Sequence, residues 1–404
     1  MTRLDWRETT LGEVCDQIGG IIQTGPFGSQ LHESDYSDDG TPVVMPKDII
    51  EGRIATDGIA RVASEHVERL SRHKLKRGDI VYGRRGDIGR QALIKQDEED
   101  WLCGTGCLRI SLGDSIVDPL FLHYYLRQEL VIGWIANQAI GATLPNLNTS
   151  ILRSVPLRIP PLPLQRRIAG ILSAYDDLIG NNTRRIKILE EMAGTIYREW
   201  FVHFRFPGYE SISRVASPLG PIPQEWEVTP LSSLVYFAKG RKPAETRREP
   251  LPGDIRLLLI DALRGGEAEF ASPAKLVIAE RRDTIMVMDG ASSCDVAIGF
   301  SGAVGSTLGR FRTTRPEAFS PHALFRFLEG KAEEFKSKNI GAAIPHANKD
   351  YILSQPIALP PQAIAWRFHS HLEPIQSTIE ILKSEIQNLR RTRDLLLPRL
   401  LSGR

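Results

Sequence analysis

A chain of 404 residues with 42% apolar content exceeds the usual single-domain range and can bury more than one core. Its 51 basic and 49 acidic side chains leave a formal charge of +2, which excludes a global basic field and confines any nucleic-acid contact to local patches. No run of roughly 18 apolar residues occurs, and the start, Met1-Thr-Arg-Leu-Asp-Trp6, lacks the charged-then-apolar order of a secretory leader, so a soluble cytoplasmic protein with no membrane partner is expected.

In chain order, Trp6-x-x-Thr9-x-Leu11 leads into short apolar runs punctuated by Gly and Pro. Residues 42–45, 79–82, 91–94 and 108–111 read as strands, and residues 119–126 as a helix with Pro at its start. Cys15, Cys103, Cys107 and Cys294 are too scattered for a disulfide framework, and Cys103-x-x-x-Cys107 lacks the second pair of a structural zinc site, so free thiols and no metal are expected. The segment Gly141-Ala-Thr-Leu-Pro-Asn-Leu-Asn148 then runs to Pro160-Pro161. The Asn146 and Asn148 turn is expected to shape the frame or meet a shared partner.

After Pro161, Ile168, Leu172, Tyr175, Ile179, Asn182, Ile186 and Leu189 follow alternating steps of four and three, the spacing of a coiled-coil seam in which Asn182 would fix register. The helix ends in Tyr197, Trp200, Phe201, Phe204 and Phe206 before Pro207-Gly208, a spacing that favours packing at a helix terminus over base stacking.

The second half repeats the first. Trp226-x-x-Thr229-x-Leu231 matches the opening, 257–260 and 284–288 read as strands, and 320–327 reads as a helix. Residues 341–361 match residues 141–161 at eight of twenty-one positions without a gap, with His346 and Asn348 in place of Asn146 and Asn148. A second seam, Phe368, Leu372, Ile375, Ile379, Leu382, Ile386 and Leu389, sits 200 residues after the first. Two such stripes on one chain should cover each other, and antiparallel pairing gives the copies a pseudo-twofold relation. Between the matching frames the interiors barely align, as if common frames carried two different readers. The expected fold class is α+β: two globular mixed α/β recognition domains, 1–161 and 207–361, separated by long antiparallel coiled-coil helices at 162–206 and 362–404.

Catalytic signatures fail on spacing. Gly299-Phe-Ser-Gly-Ala-Val-Gly305-Ser-Thr has no Lys before its Ser, Gly83-Arg-Arg-Gly86-Asp-Ile-Gly89 is no dinucleotide fingerprint, and no methyltransferase or nuclease motif occurs. Each copy instead carries one basic segment. Arg69, Arg72, Lys74, Arg84, Arg85 and Arg90 in the first, and Lys239, Arg241, Lys242, Arg247 and Arg248 in the second, are the candidate DNA contacts.

The duplicated segments, each feeding a long helix, with Trp200-Phe201-Val202 closing the first and Leu395-Leu-Leu-Pro-Arg-Leu-Leu401 the second, resemble the specificity subunit of a bacterial type I restriction–modification enzyme over essentially the whole chain. Leu164 stands where the family commonly has Glu, and Gln362-Ala-Ile-Ala-Trp366 departs further. The resemblance implies a non-catalytic reader of double-stranded DNA in which each domain recognises half of a split site and the helices set the gap. It also implies two methyltransferase subunits as partners, restriction and translocase subunits that can join, and S-adenosylmethionine, ATP and Mg used by those partners only. A competing reading is a non-DNA coiled-coil assembly adaptor with peptide-binding ends, which gives no reason for two divergent basic segments.

Overall fold

The computed structural model describes residues 6–84, 89–138, 146–341 and 344–401. The chain divides into two compact units, one formed by 1–181 with 386–404 and the other by 182–385, so that both boundaries fall inside the long helices Leu162–Tyr197 and Gln362–Leu401.

In the first unit Arg7–Thr10 pairs antiparallel with Pro156–Ile159, Arg7 opposite Ile159 and Thr10 opposite Pro156. Thr10 then caps helix Leu11–Ile18: its hydroxyl accepts from Glu13 N while the Glu13 carboxylate accepts from Thr10 N, satisfying two N–H groups the helix leaves free. Two four-stranded sheets follow. Ile21–Thr24, Cys107–Ser111, Ile80–Gly83 and Gln91–Leu93 lie in that order, all antiparallel. Leu102–Cys103, Thr41–Val44, Arg61–Val62 and Tyr36–Ser37 form the other, with its first pair parallel. Helix Pro119–Leu126 starts where expected because the Asp118 carboxylate accepts from Phe121 N and Pro119 occupies a position that needs no N–H donor. Leu11, Tyr82, Leu108, Phe121 and Tyr124 form a core with Ile168, Leu172 and Leu401 of the long helices.

The second unit repeats this plan. Glu227–Pro230 pairs antiparallel with Pro356–Leu359, and Leu231 N donates to Gln355 O as Leu11 N does to Val155 O. Val235–Lys239, Leu308–Thr313, Thr284–Val287 and Val296–Ala297 form an antiparallel sheet with the strand order of the first unit. Glu269–Ala271, Ile255–Leu258, Gly302–Val304 and Ile278–Ala279 form the companion sheet, again with one parallel pair. Interiors that barely align in sequence therefore share a topology. What differs is the fourth strand of the companion sheet, which lies beside Arg61–Val62 in the first unit and beside Gly302–Val304 in the second.

The expected seams are burial stripes within each unit. Ile168, Leu172, Ile179, Asn182, Ile186, Phe368, Leu372, Ile379 and Leu382 are buried, and Tyr175, Leu189, Ile375, Ile386 and Leu389 are half-buried. Pairing is antiparallel in both units. In the first, Asp176 meets Arg393 while Ile168 and Leu172 share a core with Leu401. In the second, Asn182 donates to Glu385 at 3.1 Å and Tyr197, Trp200 and Phe201 pack against Phe368. Asn182, only 6% exposed, satisfies its amide through one partner on the facing helix, which disfavours a shifted register. The helix widens into a π turn at Arg198–Val202, which turns Trp200 and Phe201 into the core as the helix-end spacing predicted. All four cysteines are buried free thiols, and no helix among the described residues is long and apolar enough to cross a membrane.

Candidate nucleic-acid interface

Each unit builds the same corner at the end of its antiparallel sheet. Strand Ile21–Thr24 runs into Gly25, whose N–H donates to Cys107 O, and a Cβ at Gly25 would overlap the Gly104 carbonyl oxygen. Strand Val235–Lys239 runs into Gly240, whose N–H donates to Leu308 O, and a Cβ there would overlap the Gly305 carbonyl. Only glycine allows these two backbones to touch. Beyond each strand 80–83 and 284–287 the turn continues alike: Arg84 N donates to Gly106 O and Met288 N to Thr307 O, while Leu147 N donates to Arg84 O and Ala347 N to Met288 O. Asn148 and Asn348 then cap the following short helices through Ile151 N and Tyr351 N. These two asparagines therefore shape the frame, as the sequence suggested. The segment 141–145 itself lies outside the described residues.

An aspartate braces the middle strand of each sheet. The Asp79 carboxylate accepts from Lys76 N and lies 3.8 Å from the buried Arg109, and the Asp283 carboxylate accepts from Glu280 N and is met by both arms of Arg312. The matching sequence signal, Arg77-Gly-Asp79 against Arg281-Arg-Asp283, is short enough to escape notice.

On this shared corner the side chains differ. Arg84 donates to the Asn146 carbonyl at 3.1 Å. In the second unit His346, in place of Asn146, meets Asp289 at 2.8 Å, and Lys239 reaches the other oxygen of Asp289 at 2.7 Å. Burial opposes ionisation of Asp289, but the hydrogen bonds from Lys239 and His346 outweigh it and hold the carboxyl below its ordinary value. After the glycine crossing the first unit presents Pro26-Phe27-Gly28-Ser29 and the second Arg241-Lys242-Pro243. Phe27 is 56% exposed although its backbone is fixed from both sides: its N–H donates to the Gln30 side chain and its carbonyl accepts from Gln30 N. The sequence marks the loop 23–29 as able to hydrogen-bond bases or phosphates but gives Phe27 itself no role, because Gly-Ser turns are ordinary punctuation.

The basic candidates are distributed unevenly. Arg69 pairs with Asp35 at 3.0 Å, Lys74 lies 3.9 Å from Asp100, and Arg72 donates to His73. Arg247 is held by Asp254 and Glu245, both at 3.0 Å, and Arg248 by Glu267 at 3.3 Å. Arg90 is exposed beside Gly89, and Arg85 lies outside the described residues. Arg241 donates to the Lys275 carbonyl, and Lys242 is exposed and makes no ion pair or hydrogen bond among the described residues. The candidates thus do not gather at one point. Arg84, Lys239, Arg241 and Lys242 sit on the shared corner with Arg90, whose carbonyl accepts from Gly83 N, whereas the remaining described ones lie away from it in sequence and mostly carry a carboxylate. Exposed pairs of that kind contribute about 0–1 kcal/mol, so a phosphate can displace the carboxylate.

Residues 3–191 match the family of type I restriction modification DNA specificity domains, and the second unit repeats the frame of that match. The type I restriction enzyme MjaIX specificity subunit of Methanocaldococcus jannaschii is 23% identical over 99% of this chain and 96% of its own length. The MjaVIII specificity subunit of the same organism is 22% identical over 81% of this chain and 76% of its own. Along almost its whole length the chain is similar to type I specificity subunits, and its first half matches their DNA specificity domain. Its fold is also that of the crystal structure of the type I restriction–modification S subunit from M. genitalium, with a TM-score of 0.63, 15% identity, and coverage of 99% of this chain and 97% of that one. The shared corner is a part of each unit's surface where common backbone and unlike side chains coincide.

Proposed function

We propose that this chain reads DNA for a type I restriction–modification complex, without catalysis of its own. Each unit reads one half of a split, asymmetric site in double-stranded DNA, and the paired helices set the unspecified gap and dock the methyltransferase subunits. The observation that carries the reading is the corner of each unit: two matching glycine crossings, followed by Pro26-Phe27 in one and Arg241-Lys242 in the other, and two Asn caps that make the same hydrogen bond. An exposed aromatic can stack on or wedge between bases, whereas Arg and Lys meet guanine edges and phosphates. Identical mounts with unlike tips suit two unequal half-sites. Arg84, Arg90, Lys239, Arg241 and Lys242 join Phe27 as contacts, with Arg69, Arg72, Lys74, Arg85, Arg247 and Arg248 supplying further phosphate affinity.

The partners are two methyltransferase subunits that use S-adenosylmethionine and, where present, restriction and translocase subunits that use ATP and Mg, in the cytoplasm. This chain needs no cofactor to read DNA. Purified with its methyltransferase, it should direct adenine methylation to a bipartite motif with two different halves, mapped genome-wide. A continuous motif, or one whose halves are identical, contradicts the reading. Removing one heptad from both helices should alter the gap and leave the half-sites unchanged; altered half-sites would refute the role of the helices.

A further inference from the structure

Among the described residues, the second unit holds a group of metal-ligating side chains with no counterpart in the first. His322 lies in the first turn of helix Pro321–Gly330 and is 2% exposed, while His369 and Glu373 stand four residues apart, and so on one face, of the second long helix. One ligand atom from each of the three falls within 4.8 Å of the others. His322 Nε2 meets Glu373 Oε2 at 2.7 Å, and the two imidazoles lie 5.4 Å apart at an interplanar angle of 16°. His369 Nδ1 is buried and has no hydrogen-bond partner among the described residues. Leaving a buried nitrogen unsatisfied costs about 1–3 kcal/mol, and a protein retains such an atom where something else uses it.

We propose that His322, His369 and Glu373 bind one zinc-like divalent cation, which clamps the domain helix of the second unit to its long helix. Two imidazoles and one carboxylate are a ligand set that zinc accepts, with a water in the fourth position, whereas Mg prefers oxygen ligands. The surrounding groups leave the set available. Arg282 and Ser377 both approach Glu373 Oε1, so Oε2 is left to the imidazole or to the cation, and Arg282 is also held by Glu380 at 2.7 Å. His322 is 2% exposed, and Glu373 is fixed by His322 on one oxygen and Arg282 on the other, so the ligands are held in place before any cation arrives. At the corresponding places of the first unit stand Leu120 and Ala169, so the clamp belongs to one unit only.

The test uses the tag-free full chain with its methyltransferase, stripped with a chelator. Titration with zinc should give one site per chain, a raised unfolding temperature and no comparable response to Mg. Cobalt in place of zinc should give visible d–d bands without a thiolate charge-transfer band, which separates this site from the four cysteines. His369→Ala, at a half-buried position, should lose affinity by more than the roughly 10–100-fold typical of removing a mere outer-shell partner, and Glu373→Gln should weaken it as well. No zinc binding at micromolar concentration, a thiolate spectrum, or unchanged affinity in a folded His369→Ala chain would overturn the proposal. Reading of the DNA motif is a separate measurement, so either claim can fail without the other.

Discussion

In the first unit a strand ends on Gly25 and continues into Pro26 and Phe27; in the second, the corresponding strand ends on Gly240 and continues into Arg241 and Lys242. The backbone events are the same, down to the N–H that each glycine gives and the carbonyl each one touches. The comparison separates two kinds of constraint. A glycine at a backbone crossing and an Asn at a helix start answer to sterics and to unsatisfied N–H groups, so any change to them is felt by the fold. An exposed loop tip touches little of its own unit and is free to differ. The long helices show the same division: Asp176 in the first unit is bound by Tyr124, Arg127 and Arg393, and Glu373 in the second by His322 and Arg282, two unlike ways of tying a long helix to its domain.

The largest effect is expected at the crossings. Gly25→Ala or Gly240→Ala forces a methyl into a carbonyl oxygen and should cost about 3 kcal/mol in the unit that carries it, as overpacking does. Urea unfolding followed by a probe in each unit checks this, and equal loss in both units from one substitution would break the claim that the corners are independent. Next comes the tip. Phe27→Ala should cost about 1–3 kcal/mol of specific binding through lost stacking, whereas Lys242→Ala should weaken binding to every sequence and lower the salt slope by about one. Binding isotherms at several salt concentrations separate the two, and interchangeable behaviour would mean the tips do one job.

A pH experiment sharpens the contrast between interiors. His123 is buried in the first unit, and desolvation, aided by Arg127, lowers its pKa to about 3. Its unfolded value is about 6.5, so the unfolded chain takes up a proton that the folded unit refuses. The first unit should therefore keep this contribution above pH 6.5 and lose about 1.4 kcal/mol per pH unit as the pH falls from there toward the folded value. His123→Gln should flatten that slope; an unchanged slope would place the proton uptake elsewhere. The smallest effect is at the caps: Asn148→Ala and Asn348→Ala should each cost about 1 kcal/mol, and near-equal losses measured by thermal unfolding would confirm that the two frames are equivalent.

Much of this frame was legible in the sequence because its determinants are local. Pro119 marks a helix start, the alternating four and three steps mark both seams, and the matched segments around Asn148 and Asn348 mark a shared frame, although the short helices they cap were not legible. The common topology of the interiors was hidden because strands of two to six residues leave few positions to match, and what persists is a handful of glycines and the Arg77-Gly-Asp79 and Arg281-Arg-Asp283 turns. Charge counting overstated the basic segments for a different reason. The carboxylates that hold Arg69 and Lys239 are Asp35 and Asp289, 34 and 50 residues away, and only folding brings them together. His322 and His369 are likewise distant in the chain, so no motif announced the cluster they form with Glu373.

The central claim is that each unit is a separate reader on a common mount. Its most direct test is a genome-wide map of methylated adenines made by the complex carrying Phe27→Ala, compared with the unaltered complex. One half of the motif should become degenerate at one or two positions while the other half and the gap stay as they were. Degeneracy spread over both halves, or a motif unchanged in both, would contradict the account.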